Sequence, residues 1–310
     1  MQKQIYRPPA YLRDDTVRTL VLVDWSNLLY RAWFSSEDNP EIGYLRVFDM
    51  LRACVHRSKQ QGVPLEMIFC GESRTPLKKL EIDPTYKNNR TNTGNDKFRE
   101  FRETLEDLFV MLGWEIISVP GFEADDVIAS IVDKQCHRCR CKKKCTNCDC
   151  HLKYRTDVVI FSGDKDFQQL LAWDRVLLLR SGIFVTRESF EEAYGIPVAH
   201  YTTFLALVGD KSDNIPGVQG VGPVWATKAI LSDSVRGDLE ELGRGFSHAI
   251  DEYKKSYQLV QLNTKLIIDL SCINVDNADI FVFDVCEAGL NKDVQLFIER
   301  FLLEFEDKES

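Results

Sequence analysis

Nine carboxylates stand where this chain could gather them: Asp24, Glu72, Glu123, Asp125, Asp126, Asp164, Asp166, Asp210 and Asp213. Each ends an apolar run or opens a turn of unusual composition. Oxygen ligands suit hard cations, and none of the five histidines lies beside an acidic motif, which favours Mg²⁺ or Mn²⁺ over zinc at such a site. Carboxylates brought together repel one another unless cations neutralise them, so a shared site implies two or more divalent ions. Paired hard cations are the apparatus of in-line phosphodiester hydrolysis, and no general-base histidine is then required.

The densest stretch is Leu207–Gly222, LVGDKSDNIPGVQGVG. Asp210 and Asp213 are followed by Pro216, Gly217, Gly220 and Gly222. A glycine-rich turn with a helix behind it can aim backbone N–H groups at a phosphate. One segment thus combines cation ligands with a phosphate cradle, although a lone GDxxD is equally a solvated turn.

The elements that must position these acids follow from patterning. Thr19–Asp24 (TLVLVD) is a continuous apolar run ending in an acid, as a buried strand of a parallel sheet does. Ser26 is placed to cap the next helix, whose apolar positions continue through Leu45, Val47, Phe48 and Leu51. Leu65–Cys70, Trp114–Val119, Asp157–Phe161 and Val176–Leu179 read as further strands. Glu123, Asp125 and Asp126 open an apolar helix, and Ser189–Tyr194 is a short helix closed by Gly195. Beyond Ile230 the chain reads as helical and acidic, apart from LIID and the strand-like ADIFVFD. Alternating strands and helices with acids at strand ends give an α/β fold, a mostly parallel sheet with one acidic rim, where open sheets place their sites.

Between Arg74 and Arg102 eight Lys or Arg face four Asp or Glu, and the segment reads as exposed, mobile and basic. Cys136–His151, CHRCRCKKKCTNCDCH, repeats CxxCxC at a period of nine. Cys136, Cys139, Cys145 and Cys148 can supply a tetrahedral zinc site, with Cys141, Cys150, His137 and His151 as alternates. From Lys134 to Lys153 there are seven basic residues and one acid, so extra phosphate contacts are one reading of this insert and a purely structural knob the other.

The segments VDWSNLLYRAWF, YKNNR, GFEADDVIASIV, SGDKDFQQLL and LVGDKSDNIPGVQGVG resemble, in order, the blocks of the 5′-nuclease or flap endonuclease superfamily. The resemblance implies a PIN-like core over residues 1–195, with a helical arch at about 74–102 and the Cys-rich knuckle at 136–151, then a helix-two-turn-helix and helical region over 196–310. It implies that Asp24, Glu72, Glu123 and Asp125 hold the catalytic ion and that the other five acids complete the site or hold the second. Glu72 stands where the family usually has Asp, and Asp83 is a weaker substitute. Lys87 and Arg90 would neutralise the scissile phosphate, Tyr86 would stack an unpaired base, and Gly217, Gly220 and Gly222 would grip duplex phosphates. Carbonyls of that turn hold K⁺ in the family.

The implied activity is Mg²⁺-dependent 5′ flap endonuclease and 5′–3′ exonuclease action, extending to RNA–DNA hybrids, in replication and repair. A single-strand DNA-binding protein or polymerase is the partner that role suggests. Two competitors are a non-catalytic branched-DNA binder with a degenerate site and an RNA-cleaving PIN-type nuclease. Retention of all nine acids argues against the first, and the basic arch with the glycine turn argues against the second.

With 310 residues, 44% hydrophobic, there is ample core. The net charge of −9 argues against broad nonspecific nucleic-acid binding. No apolar run approaches a membrane span and the leader lacks signal-peptide order, so the expectation is a cytoplasmic monomer of a bacterium or phage-infected host, a stand-alone enzyme without a polymerase domain. A cysteine cluster in such a compartment reads as metal-binding rather than disulfide-bonded.

Overall fold

Strict alternation along the first strand explains the layers. In the computed structural model, which describes residues 18–59, 65–89, 96–136, 156–232 and 249–268, Leu20 and Leu22 point into one apolar core and Val21 and Val23 into another. All four are buried. A strand with cores on both faces must be central in its sheet.

That strand, β1 (Arg18–Asp24), pairs in parallel with β2 (Leu65–Cys70) on one edge and β4 (Thr156–Phe161) on the other. The short β3 (Ile116–Ile117) extends the β2 side. On the β4 side lie β5 (Val176–Arg180) and β6 (Ile183–Val185), and the order is β3-β2-β1-β4-β5-β6. Among the described strands only β6 runs antiparallel. It escapes the sequence patterning because three residues are too few to show a period, but the Ser181–Gly182 turn, both at positive φ, folds it back on β5.

One core packs α1 (Trp25–Phe34), α2 (Pro40–Ser58) and α4 (Asp96–Met111) against the sheet, with Trp25, Phe69, Phe109 and Trp114 in mutual ring contact. The other packs α5 (Ala124–Cys136), a 3₁₀ turn over Asp166–Ala172, α6 (Arg187–Tyr194), α7 (Tyr201–Val208), α8 (Pro223–Leu231) and α9 (Ala249–Val260). A one-turn α3 (Lys79–Ile82) precedes α4. Among the described residues no helix is long and apolar enough to cross a membrane.

Several expectations are corrected. Asp24, not Ser26, caps α1, accepting from Asn27 N at 3.1 Å, because the helix starts directly at the strand end. The apolar spacing from Trp25 to Leu51 belongs to two helices: α2 restarts with Asn39 as cap and Pro40 in its first turn, a stop and start that apolar spacing alone does not reveal. The third strand shrinks to Ile116–Ile117, since it finds register only with Phe69 and Cys70. The helix over Arg187–Tyr194 has a reciprocal cap between Thr186 and Ser189, and Gly195 ends it at φ 66°. The LIID stretch up to Ile268 forms no regular element, and ADIFVFD lies outside the described residues.

Candidate active site

In the order β3-β2-β1-β4-β5 the chain reverses direction of growth between β1 and β4, and open α/β sheets hold their sites at the strand C-termini at such a point. Asp24 ends β1, and Ser162, Gly163 and Asp164 follow β4. These two strand ends are stapled together. Ser162 Oγ donates to Asp24 Oδ2 at 2.7 Å, Gly163 N donates to Asn27 Oδ1 at 2.8 Å, and Asp164 N donates to Ser162 Oγ at 3.0 Å. Asn27 and Ser162 are thus positioning residues that a search for carboxylates overlooks, although both lie inside the quoted motifs.

The acids form one continuous electrostatic field. Burial pushes Asp24 up to about 6, and the nearby charges of Asp164 and Glu72 add to it against hydrogen bonds from Asn27 and Ser162. Asp125, half-buried in the first turn of α5, is pushed well above its ordinary value by burial and then by Glu123, with Asp164 and Asp24 contributing. Burial and the charges of Asp164, Asp210 and Asp213 raise Asp166 to about 7. The field therefore links the ends of β1, β2 and β4, the start of α5 and the turn between α7 and α8.

That turn is built on two buried acids. Asp210 Oδ1 accepts from Ser212 N at 2.8 Å and from Ser212 Oγ at 2.6 Å, and an antiparallel bridge joins Asp210 to Ile215. Burial would raise the Asp210 carboxyl, but the hydrogen bonds from Ser212 and Lys165 outweigh it and hold it below its usual range. Lys165 Nζ lies 2.9 Å from Asp210 Oδ2, tying the β4 loop to this turn. Gly209 at φ 80° and Gly217 at φ 70° meet backbone to backbone. The N–H groups of Val218, Gln219 and Val221 are spent inside the protein, on Leu207 O, Glu252 Oε2 and Val218 O. Gly220 has φ 78°, and Gly222 caps α8 with nothing within 4 Å of the position a Cβ would take.

Glu123 is the most heavily engaged acid. Lys79 Nζ lies 2.8 Å from its Oε2, Lys87 Nζ pairs with Oε1, and the Tyr86 hydroxyl donates to Oε2 at 3.0 Å. Burial alone would raise this carboxyl, yet the two ammonium groups bring it down to about 2. The Tyr86 hydroxyl also lies 3.3 Å from Asp213 Oδ2, and Lys87 N donates to the Asp213 carbonyl at 2.9 Å. The base of the basic segment is thereby fixed to both acidic elements.

The segment is exposed at Arg74, Lys78 and Asn88, as its composition suggests, but Lys79, Asp83, Tyr86 and Lys87 turn inward. Tyr86 is 4% exposed, with the Lys79 and Lys87 ammonium groups 5.4 and 5.3 Å from its ring centroid, so it offers no open face for stacking. Its hydroxyl, not its face, points at the acids. Asp83 is also buried; its oxygens serve Thr85 and Lys255, the latter at 2.7 Å, which removes it as a substitute for Glu72. Glu72 is exposed just past β2. Asp126 serves backbone, accepting from Asn263 N at 2.8 Å and from Glu123 N at 3.5 Å. Nothing in the motif EADD separates this backbone-serving acid from its neighbours.

Cys136 ends α5 as a partly buried free thiol, pushed up to about 12 by burial despite the nearby Arg175. Arg90, Cys139, Cys141, Cys145, Cys148, Cys150, His137 and His151 lie outside the described residues.

Among the described residues no three Asp, Glu, His or Cys side chains converge as a ready-made ligand set. The donors nonetheless fit hard cations. Asp166 Oδ1 is buried with no hydrogen-bond partner, and Asp24, Asp125 and Asp166 all resist ionisation, which a divalent cation among them would relieve. Mg²⁺ keeps several waters and asks for only one or two carboxylates, so an open arrangement suits it.

The family described as 5′-3′ exonuclease, N-terminal resolvase-like domain, matches residues 19–195. The 5′-3′ exonuclease of Aquifex aeolicus is 28% identical over 271 residues, 82% of this chain and 85% of that protein. The thermostable DNA polymerase I of Thermus filiformis is 28% identical over 271 residues, 86% of this chain but 30% of the polymerase. DNA polymerase I of Mycobacterium tuberculosis is 31% identical over 227 residues, 70% of this chain and 23% of the polymerase. The chain therefore spans less than a third of the polymerases it matches. The bacteriophage T5 5′-exonuclease, solved with divalent zinc ions, superposes with a TM-score of 0.63 at 22% identity, covering 87% of this chain and 99% of that one. A T5 flap endonuclease complex with DNA and metal ions gives 0.61 at 22%, covering 87% and 98%. These two show the fold, a mostly parallel six-stranded sheet flanked by helices. Together with the acids gathered at the β1–β4 reversal, the match over more than half the sequence settles the kinship: this chain belongs to the 5′-3′ exonuclease family of the N-terminal resolvase-like domain.

Proposed function

We propose that the chain is a Mg²⁺-dependent, structure-specific 5′-nuclease that cuts 5′ flaps and degrades 5′ ends. One observation carries this: the mutually repelling carboxylates of Asp24 at the end of β1, Asp125 in α5 and Asp166 after β4 share one field with Asp210 and Asp213 of the glycine-rich turn. Asp24, Glu72, Glu123, Asp125, Asp164, Asp166, Asp210 and Asp213 would hold two or more ions, with Asp126 supporting Glu123 from behind. Bound there, hard cations supply an activated water and neutralise the leaving oxygen.

The chain's own residues do the positioning. Ser162 and Asn27 fix the Asp24 end of the site, and Tyr86 fixes Glu123 to Asp213. Lys87 and Arg90 meet the scissile phosphate, while Gly220 and Gly222 place backbone against the duplex and Gly217, buried against Gly209, shapes the turn that carries them. A K⁺ ion held by carbonyls of this turn would strengthen the same grip. The Cys-rich stretch from Cys136 to His151 is proposed to bind Zn²⁺ and add basic contacts. Flapped or branched DNA, including RNA–DNA hybrids, is the proposed substrate. Primer and flap removal in replication is the proposed role, alongside a polymerase or a single-strand DNA-binding protein.

The test is cleavage of a 5′-labelled flap with Mg²⁺ by wild type, Asp164→Ala and Lys87→Ala. Incision by wild type that both substitutions cut by orders of magnitude supports the reading. A wild type that binds the flap without Mg²⁺-dependent incision overturns it.

A further inference from the structure

Two cations serve one carboxylate here, and their settings differ. Lys79 meets Glu123 Oε2 and Lys87 meets Oε1; their side chains are 13% and 14% exposed, and that of Glu123 is 2%. A carboxylate that buried needs one compensating cation, and removing its only partner would strand a charge in the interior. A second cation makes one of the two dispensable at the moment a competing anion arrives.

The local structure indicates which one stays. Lys79 opens α3 just after Lys78, whose N–H donates to Gly121 O at 2.9 Å, so its backbone is held to the loop that carries Glu123. Its charge is stabilised mainly by Glu123, then by Asp126 and Asp125, all around the start of α5. Lys87 follows Tyr86 in the left-handed region at φ 57°, and its N–H on the Asp213 carbonyl at 2.9 Å holds its backbone to the other acidic element. It is shared between Glu123 and Asp213, 3.7 Å away. Its ammonium therefore lies on the Asp213 side of Glu123, towards the other acids of the site, whereas that of Lys79 lies on the Asp126 side.

We infer that Lys79 is a positioning residue, the resident counter-ion of Glu123, whose presence releases Lys87 from that carboxylate to a substrate phosphate. The inference rests on the proposed flap-cutting reading. When Lys87 moves to the phosphate, Lys79 and the Tyr86 hydroxyl keep Glu123 compensated and oriented. Without Lys79, Glu123 retains Lys87 and the phosphate contact is lost.

The test measures binding of a flapped duplex against salt, with Ca²⁺ at a fixed concentration, for wild type and for Lys79→Met, Lys79→Arg, Lys87→Met and the double Met variant. Each phosphate contact contributes about 0.7 to 0.9 to the slope of log affinity against log salt. The expected result is that each single Met substitution lowers the slope by about one such contact, the double variant lowers it no further, and Lys79→Arg keeps the wild-type slope. Cleavage with Mg²⁺ should fall by about 10- to 100-fold in Lys79→Met and recover in Lys79→Arg. An unchanged slope in Lys79→Met overturns the inference, as does a double variant that loses two contacts, which would place Lys79 itself on a phosphate. If the double variant does not fold, Lys79→Arg decides alone: a slope as low as that of Lys79→Met overturns the inference. Wild-type cleavage in the same assay separates failure of this inference from failure of the nuclease reading.

Discussion

A Cβ placed on Gly217 would fall 2.5 Å from the Gly209 nitrogen, and one placed on Gly209 would fall 2.6 Å from the Gly217 nitrogen. The two backbones touch at positive φ, so neither position has room or conformational licence for a side chain. Gly217→Ala is expected to destabilise the fold by about 2 to 5 kcal/mol, combining left-handed strain with overpacking. Gly222→Ala should change stability by less than about 0.5 kcal/mol, because its φ is −109° and its surroundings are open. Thermal melts check both. Duplex affinity of the Gly222 variant then reads the proposed backbone contact apart from folding.

Tyr86→Phe keeps the ring and removes only the hydroxyl that reaches Glu123 and Asp213. The loss should cost about 1 to 2 kcal/mol of stability and lower flap cleavage about tenfold or more. A base-stacking role would leave the Phe variant as active as wild type, so single-turnover cleavage distinguishes the two.

Asp24 and Asp166 carry folded values of about 6 and about 7 against an ordinary 3.8. Their protonated forms favour the folded state, and that contribution is lost as pH rises through 6 and 7. Glu123, held down from 4.5 to about 2, acts oppositely: its contribution is present above its ordinary value and is lost as pH falls from there towards 2, so it offsets the fall only at the acid end of the window. In EDTA the melting temperature should therefore fall by several degrees between pH 4 and pH 7, since 1 kcal/mol moves a domain of this size by about 2 to 4 °C. Mg²⁺ should flatten the fall. A metal-free melting temperature that rises across this window contradicts the clustering of these acids.

Glu72 is exposed beside the site. Glu72→Asp shortens the side chain by one methylene and should leave the melt within about 0.5 kcal/mol of wild type. The ratio of Mn²⁺- to Mg²⁺-supported cleavage should shift, while Glu72→Ala should lower both. Activity in the Ala variant equal to wild type would remove Glu72 from the site.

The apolar runs around Leu20, Phe69 and Ile160 made the parallel sheet legible, because strands buried on both faces leave no polar alternation. Asp24, Glu72, Asp164 and Asp166 were legible for the same reason, since they stand where such runs stop, and the other five stood out by opening a helix or a glycine-rich turn. Orientation was not legible. Asp125 and Asp126 are adjacent in sequence, yet a helix turns neighbours about 100° apart, sending one toward Asp24 and the other to Asn263 N. Tyr86 shows a second limit: a basic, apolar-poor segment reads as solvated, whereas pairing with Glu123 and Asp213 draws Lys79, Lys87 and the ring between them in sequence inward. Lys79 and Lys165 went unread because an ammonium that neutralises an acid across the fold has no local spacing to betray it.

The central place of β1 has a consequence for how the molecule is made. Its partner on one edge is the nearby β2, but its other edge waits for β4, which emerges from the ribosome only after the basic segment, α5 and the cysteine-rich stretch. Pairings so distant in sequence close slowly, because loop-closure entropy is lost before any contact repays it. A nascent chain that has not reached Phe161 holds Asp24 without Ser162 or Asp164 beside it. The hydrolytic centre is consequently a late event in biogenesis, and the lagging edge of β1 is the surface that most needs shielding from self-association until then.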